Sequence, residues 1–254
     1  MEIFIGLLVG LFAGFICGLF GMGGGSLMVP AIYHFFSDSF PFESRMKISI
    51  GTSLFVIIFS SISAIITYFK SKKINKNLLS VIIPSGILGS QVGAFLISKL
   101  DDRIVRNIFV VIVTSLGLKM FTTPEDGNKN FENIENYNKF IGILIGFISG
   151  FVSALCGVGG AVLIIPLLYI FLKIPIHYAI GTSLVSILFN SISGTIAYFI
   201  RNLVNLKIGI ILSIASIIGA QIGSKFGLKI EKRKLKKSFS IILIISGFSV
   251  FFRS

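Results

Sequence analysis

The sequence predicts an all-α integral membrane protein of about eight transmembrane helices in two homologous repeats, each opening with a glycine-broken helix. Three observations predict it. Charged residues make up 13% of the 254 residues and apolar ones 54%, with a mean hydropathy of +0.95, where a water-soluble chain carries about 25% charge. The charges fall in short islands (70–76, 99–106, 125–139, 201–207, 225–237) separated by apolar runs of roughly 20 residues, enough to cross about 30 Å of hydrocarbon as helix. The chain is also written twice. IGLLVGLFAGFICGLFGMGGGSLMVPAIYHFF (5–36) returns as IGILIGFISGFVSALCGVGGAVLIIPLLYIFL (141–172), with 14 of 32 positions identical. IGTSLFVIIFSSISAIITYF (50–69) returns as IGTSLVSILFNSISGTIAYF (180–199), and GSQVGAFLISKL (89–100) as GAQIGSKFGLKI (219–230). Duplication within an apolar chain is the mark of transporter folds.

In chain order, the apolar segments of the first repeat (1–121) lie at about 3–20, 24–36, 48–69, 77–98 and 104–121. Those of the second (139–254) lie at about 139–156, 160–172, 178–200, 206–228 and 236–252, and the polar stretch 122–138 links the two. Residues 3–36 would form a helix of roughly 50 Å if continuous. Gly21, Gly23, Gly24 and Gly25, followed by Pro30, predict a break instead, and Gly157, Gly159, Gly160 and Pro166 repeat it. The opening segment is not read as a cleaved signal peptide. Glu2 stands where a basic region belongs, and the stretch has a counterpart inside the chain.

If each break reverses the chain, the two repeats are inverted and the 23 basic residues divide 15 to 8 across the membrane; parallel repeats divide them 13 to 10. The first division follows the positive-inside tendency better, so inverted repeats are favoured, with 70–76 and 225–237 in the cytoplasm. The net charge of +13 belongs to segment ends and not to a soluble face, which argues against nucleic acid as a partner.

The middles of the apolar segments contain no Asp, Glu, Lys or Arg. Carboxylate proton relays and arginine voltage sensors are thereby excluded. No nucleophile–base pair or metal-ligand spacing lies there either, so no enzyme activity, metal or cofactor is expected. What remains is neutral and mostly duplicated: Ser26, Thr52, Ser53, Ser60, Ser61, Ser63 and Gln91, then Thr182, Ser183, Asn190, Ser191, Ser193 and Gln221. A helix restarting after a break exposes unpaired N–H groups and a positive dipole end, a ready anion site needing no cation. The predicted substrate site therefore comprises Gly21, Gly23, Gly24, Ser26, Gly51, Thr52, Ser53 and Gln91 from the first repeat. From the second it takes Gly157, Gly159, Gly160, Gly181, Thr182, Ser183, Asn190 and Gln221. Against this stands the packing role of small residues in membrane helices, to which the stripe Gly6-Gly10-Gly14-Gly18 is assigned. For the two glutamines, helix–helix bonding and substrate contact are equally open. The G-x-G-G motif is not a dinucleotide turn, because no strand precedes it and no acidic residue follows at the expected distance. Cys17 and Cys156 read as packing residues, His34 and His177 as residues at segment ends, and Tyr68 and Tyr198 as interfacial anchors.

GLFGMGGGSLMVP and ALCGVGGAVLIIP, each followed by IGTSL, resemble the TauE/SafE family of sulfite-exporter-like permeases, and the likeness runs through both repeats. The resemblance implies a multi-pass plasma-membrane transporter of about eight spans that handles sulfite, organosulfonates or related anions. The second copy departs from the first at Ala161 and Val162, which replace Gly25 and Ser26, so the site is expected to be asymmetric. The expected function is secondary transport of a small anion by alternating access. The expected partners are that anion and the lipid bilayer, with H+ or Na+ coupling and homo-oligomerisation left open. A passive anion channel and a non-transporting membrane scaffold are the alternatives.

Overall fold

A computed structural model describes residues 2–36, 40–41, 44–96, 111, 114–115, 117–122, 138–157 and 159–251. Among them the protein is all helix. The first repeat supplies α1 (Glu2–Phe20), α2 (Gly25–Phe35), α3 (Arg45–Lys70) and α4 (Lys76–Leu96). The second supplies α5 (Lys139–Cys156), α6 (Ala161–Phe171), α7 (Ile176–Phe199), α8 (Leu206–Lys229) and α9 (Lys232–Phe251). Most of the expected segment at 104–121 and of the 122–138 linker falls outside the described residues.

Five helices (α3, α4, α5, α7 and α8) are long and apolar enough to cross a membrane. They carry apolar side chains outward as well as inward, with Phe95, Phe147, Ile196 and Ile218 among the exposed ones, as expected where the surroundings are hydrocarbon. α2 and α6 have 11 residues each, about 16 Å of helix and half a bilayer. The glycine-rich run therefore restarts as a half-length helix.

Local sequence sets the ends. Asn75 and Asn205 accept through their side chains from the N–H groups of Leu78 and Ile208, both at 3.1 Å, opening α4 and α8; Asn138 does the same for α5. Lys72 and Asn202, equivalent under the repeat, hold φ of 54° and 56° in the tight turns that follow α3 and α7. Pro30 and Pro166 do not make the break. Each is the sixth residue of its helix, and the chain turns at the glycines before them, where φ is positive and only glycine is unstrained.

The most extensive packing is α1 along α8 and α4 along α5. These pairs are equivalent under the repeat with partners exchanged: the first helix of each repeat lies on the fourth of the other. The small-residue stripe explains how closely. A Cβ on Gly14 would sit 2.6 Å from Ser216 Cα, and one on Gly10 would sit 3.1 Å from the Ala215 Cβ. α8 answers with Gly219 and Gly223 against the carbonyls of Leu11 and Phe15. In the other pair, Gly146 and Gly150 meet Ile82 and Gly86, while Gly89 and Gly93 meet the carbonyls of Phe147 and Phe151. Between the two pairs run α3 and α7, the most deeply buried spans. Tyr68 and Tyr198 do not face outward as anchors would. Both are buried at the ends of these two helices, and the Tyr198 hydroxyl donates to Ala154 O at 2.8 Å.

Candidate functional site

The two breaks have one geometry. Gly21, Gly23 and Gly24 hold φ of 66°, 70° and 74°, and Gly157, Gly159 and Gly160 hold 67°, 74° and 79°. The Gly21 N–H donates to Cys17 O at 2.7 Å and the Gly157 N–H to Ser153 O at 2.9 Å, closing α1 and α5. Gly24 and Gly160 then cap the next helices: the Gly24 carbonyl accepts from Leu27 and Met28, and that of Gly160 from Leu163 and Ile164. The N–H groups of the first two residues of α2 and α6 lie beyond any intrahelical acceptor, at the positive end of the helix dipole. A Cβ on Gly159 would come 2.7 Å from Ile187 on α7 and 3.4 Å from Ile57 on α3, so this break lies where the two central helices meet.

Each break is seated on the GTSL segment of the opposite repeat. The Ser53 hydroxyl lies 2.6 Å from Gly157 O and 3.1 Å from Ile50 O. The Ser183 hydroxyl lies 2.8 Å from Ile180 O and 3.3 Å from Gly21 O. Ser53 and Ser183 therefore hold the breaks in place by their hydroxyl hydrogens. Thr52 accepts from the Asn205 N–H at 2.9 Å and Thr182 from the Asn75 N–H at 3.0 Å. Each threonine thus binds the capping residue of the other repeat's fourth helix. Gly51 and Gly181 let the chain approach: a Cβ there would strike Leu203 O and Tyr198, or Lys73 O and Tyr68.

The structure therefore brings together the glycines, Ser53 and Ser183 at the breaks, and places Gly51, Thr52, Gly181 and Thr182 in the joint between repeats. Gln91 donates to the Ser193 hydroxyl at 2.7 Å and to its carbonyl at 3.1 Å, while Gln221 accepts from Ser63 at 3.3 Å. Both amides bond between helices, a use the sequence left open. Ser26 belongs to the first turn of α2. Asn190 is fully buried on α7, and both its amide atoms lack a hydrogen-bond partner. Sequence reasoning passed over Asn75 and Asn205, although an asparagine at equivalent positions after each basic turn was a cap signal. It also passed over Ser153, the residue of the second repeat equivalent to Cys17. Among the described residues no group of three or more His, Cys, Asp or Glu could hold a metal, and the ion pair of Lys234 with Glu231 is exposed.

Several apolar spans, a glycine break after the first helix of each repeat and a neutral polar interior together define a multi-pass helical membrane protein of the transporter class. The chain belongs to the sulfite exporter TauE/SafE family, whose family model matches residues 6–250. It is similar to a probable membrane transporter protein of Methanocaldococcus jannaschii, 32% identical over 95% of this chain and 92% of that one. The probable membrane transporter protein YunE of Bacillus subtilis is 29% identical over 97% of this chain and 96% of its own length. A probable membrane transporter protein of Haemophilus influenzae is 27% identical over 97% of each. No solved structure matches the chain.

Proposed function

We propose that the protein is a secondary transporter for a small anion, a sulfur oxyanion such as sulfite or an organosulfonate. On this reading it works by alternating access and is not an enzyme. The observation that carries this reading is the pair of glycine breaks, each presenting a half-helix N-terminus and each held by the serine of the opposite GTSL segment. Two such ends, the second of them where α3 meets α7, offer backbone donors without a fixed positive charge, so an anion can be bound and released again.

The two repeats, 1–121 and 139–254, joined by 122–138, are inverted in this proposal. The reciprocal contacts of α1 with α8 and α5 with α4 support a two-fold relation between them. Those contacts also bear on what moves. Because backbone meets backbone at the glycine stripes, α8 travels with α1–α3, and α4 travels with α5–α7. The rocking bodies exchange their fourth helices, and they slide on each other where α3 meets α7. H+ or Na+ coupling is open to the same assay.

The test is counterflow. Proteoliposomes loaded with unlabelled sulfite or sulfoacetate are given the labelled compound, with and without pH and sodium gradients. Saturable exchange that exceeds net uptake supports a carrier. Flux without saturation or counterflow would replace it with a channel.

A further inference from the structure

The two breaks share a backbone but not a set of side chains. Ser153 Oγ, Ser191 Oγ and both amide atoms of Asn190 are fully buried and lack hydrogen-bond partners. Buried serines elsewhere in these helices bond a carbonyl of their own helix, as Ser60, Ser149, Ser186, Ser213 and Ser216 do. Such an acceptor is always near, so its absence at Ser153 and Ser191 marks side chains aimed elsewhere.

Ser153 and Asn190 lie near the second break, and Ser191 stands one helical turn beyond Ile187, which abuts Gly159. The Ser153 Cβ lies 3.2 Å from where a Cβ on Gly160, the cap of α6, would stand. Asn190 lies against Gly86, its amide oxygen 2.5 Å from that residue's Cβ position, and Gly86 in turn abuts Gly150, one turn before Ser153. The first repeat carries Cys17, Ser60 and Ser61 at the equivalent places. There the Cys17 thiol faces Ser60, Ser61 and the Gly23 backbone, the Ser60 hydroxyl is already bonded to Ile57 O at 3.2 Å, and Ser61 Oγ, the equivalent of Ser191, is likewise buried without a hydrogen-bond partner. Ser61 and Ser191 are alike in this, so the breaks differ in that the second carries a free hydroxyl at Ser153 and a free amide at Asn190 where the first carries a thiol and the bonded Ser60.

We infer that the transported anion rests against the second break alone, held by Ser153, Asn190 and Ser191 at the N-terminus of α6. The ligand chemistry is that of a small oxyanion. Two hydroxyls, an amide NH2 and the N–H groups of the first two residues of α6 donate to its oxygens, and none of them needs a countercharge. The first break then serves as the structural counterpart that positions α2. This inference rests on the anion-carrier reading above.

The test is equilibrium binding of 35S-sulfite and of sulfoacetate to the purified full chain in detergent. The double variant Ser153→Cys/Asn190→Ser gives the second break the residues already accommodated in the first, and Ser191→Ala removes a single hydroxyl. Cys17→Ser, Ser60→Ala and Ser61→Ala are the first-break variants. Loss of donors to an anion is expected to weaken binding by about tenfold or more in both second-break variants, and by less than about twofold in the first-break ones. Second-break variants that melt and bind like the wild type would overturn the inference while leaving the carrier intact, as would equal weakening from both breaks. If the wild-type protein binds neither anion, the carrier reading and this inference fall together.

Discussion

Gly14→Ala measures how much of the fold depends on backbone approach between the repeats. The added Cβ would stand 2.6 Å from Ser216 Cα and 2.8 Å from its carbonyl carbon, all of it backbone that cannot rotate away. Carbon atoms pack best at about 3.5–4.0 Å, so α1 must retreat from α8 by about 1 Å. Gly10 and Gly18 lodge on the same surface, so the retreat loosens the whole seam. Overpacking of this kind costs about 1–3 kcal/mol, and the better helix propensity of alanine returns up to about 1 kcal/mol. A net loss of about 1–2 kcal/mol lowers the melting temperature by about 2–8 °C for a chain of this size. Gly194→Ala is the control, because its Cβ meets only the end of the Leu54 side chain at 2.9 Å and Ser90 Oγ at 3.4 Å. It should shift melting by less than about 2 °C. Unfolding in detergent can be followed with a thiol-reactive fluorophore, since Cys17 is fully buried. If Gly14→Ala melts with the wild type, or Gly194→Ala falls as far, backbone contact at the α1–α8 seam is not what holds the repeats together.

Three further outcomes follow from the joint. Thr52→Val and Thr182→Val leave the Asn205 and Asn75 N–H groups without their acceptors, and each should lower stability by about 1–3 kcal/mol. In the same melting assay, an unchanged midpoint in either variant would show that water or another group takes the threonine's place. A double-mutant cycle of Gln91→Leu with Ser193→Ala should give a coupling of about 0.6 kcal/mol, the average for hydrogen bonds between membrane helices. Additive losses would remove the bond from the account. In a chain without its native cysteines, a bifunctional thiol reagent joining Phe15→Cys on α1 to Phe226→Cys on α8, whose rings lie 6.1 Å apart, should leave anion exchange intact. Joining Leu54→Cys on α3 to Gly194→Cys on α7 should abolish it. Inhibition by the first cross-link and not by the second would mean that the moving bodies are divided elsewhere.

The helices, their approximate ends and the breaks were legible in the sequence because each depends on residues within a turn or two of one another. Apolar run length sets a span, glycine takes the positive φ at Gly23 and Gly159 without strain, and asparagine caps the helix that begins just after it. The site was legible only in outline. Sequence pointed to the glycines and to GTSL, and the structure brings them together, but it ties Thr52 to Asn205 and Thr182 to Asn75, partners 153 and 107 residues away. Tyr68 and Tyr198 looked like interfacial anchors and proved to be buried. Ser153 and Cys17 occupy equivalent places in two homologous segments, yet only the serine is left buried beside a helix cap without a partner. A residue's type is local, whereas the group it faces is chosen by how helices from the two repeats pack. That choice, including the exchange of α4 and α8 between repeats, was made by the tertiary structure alone.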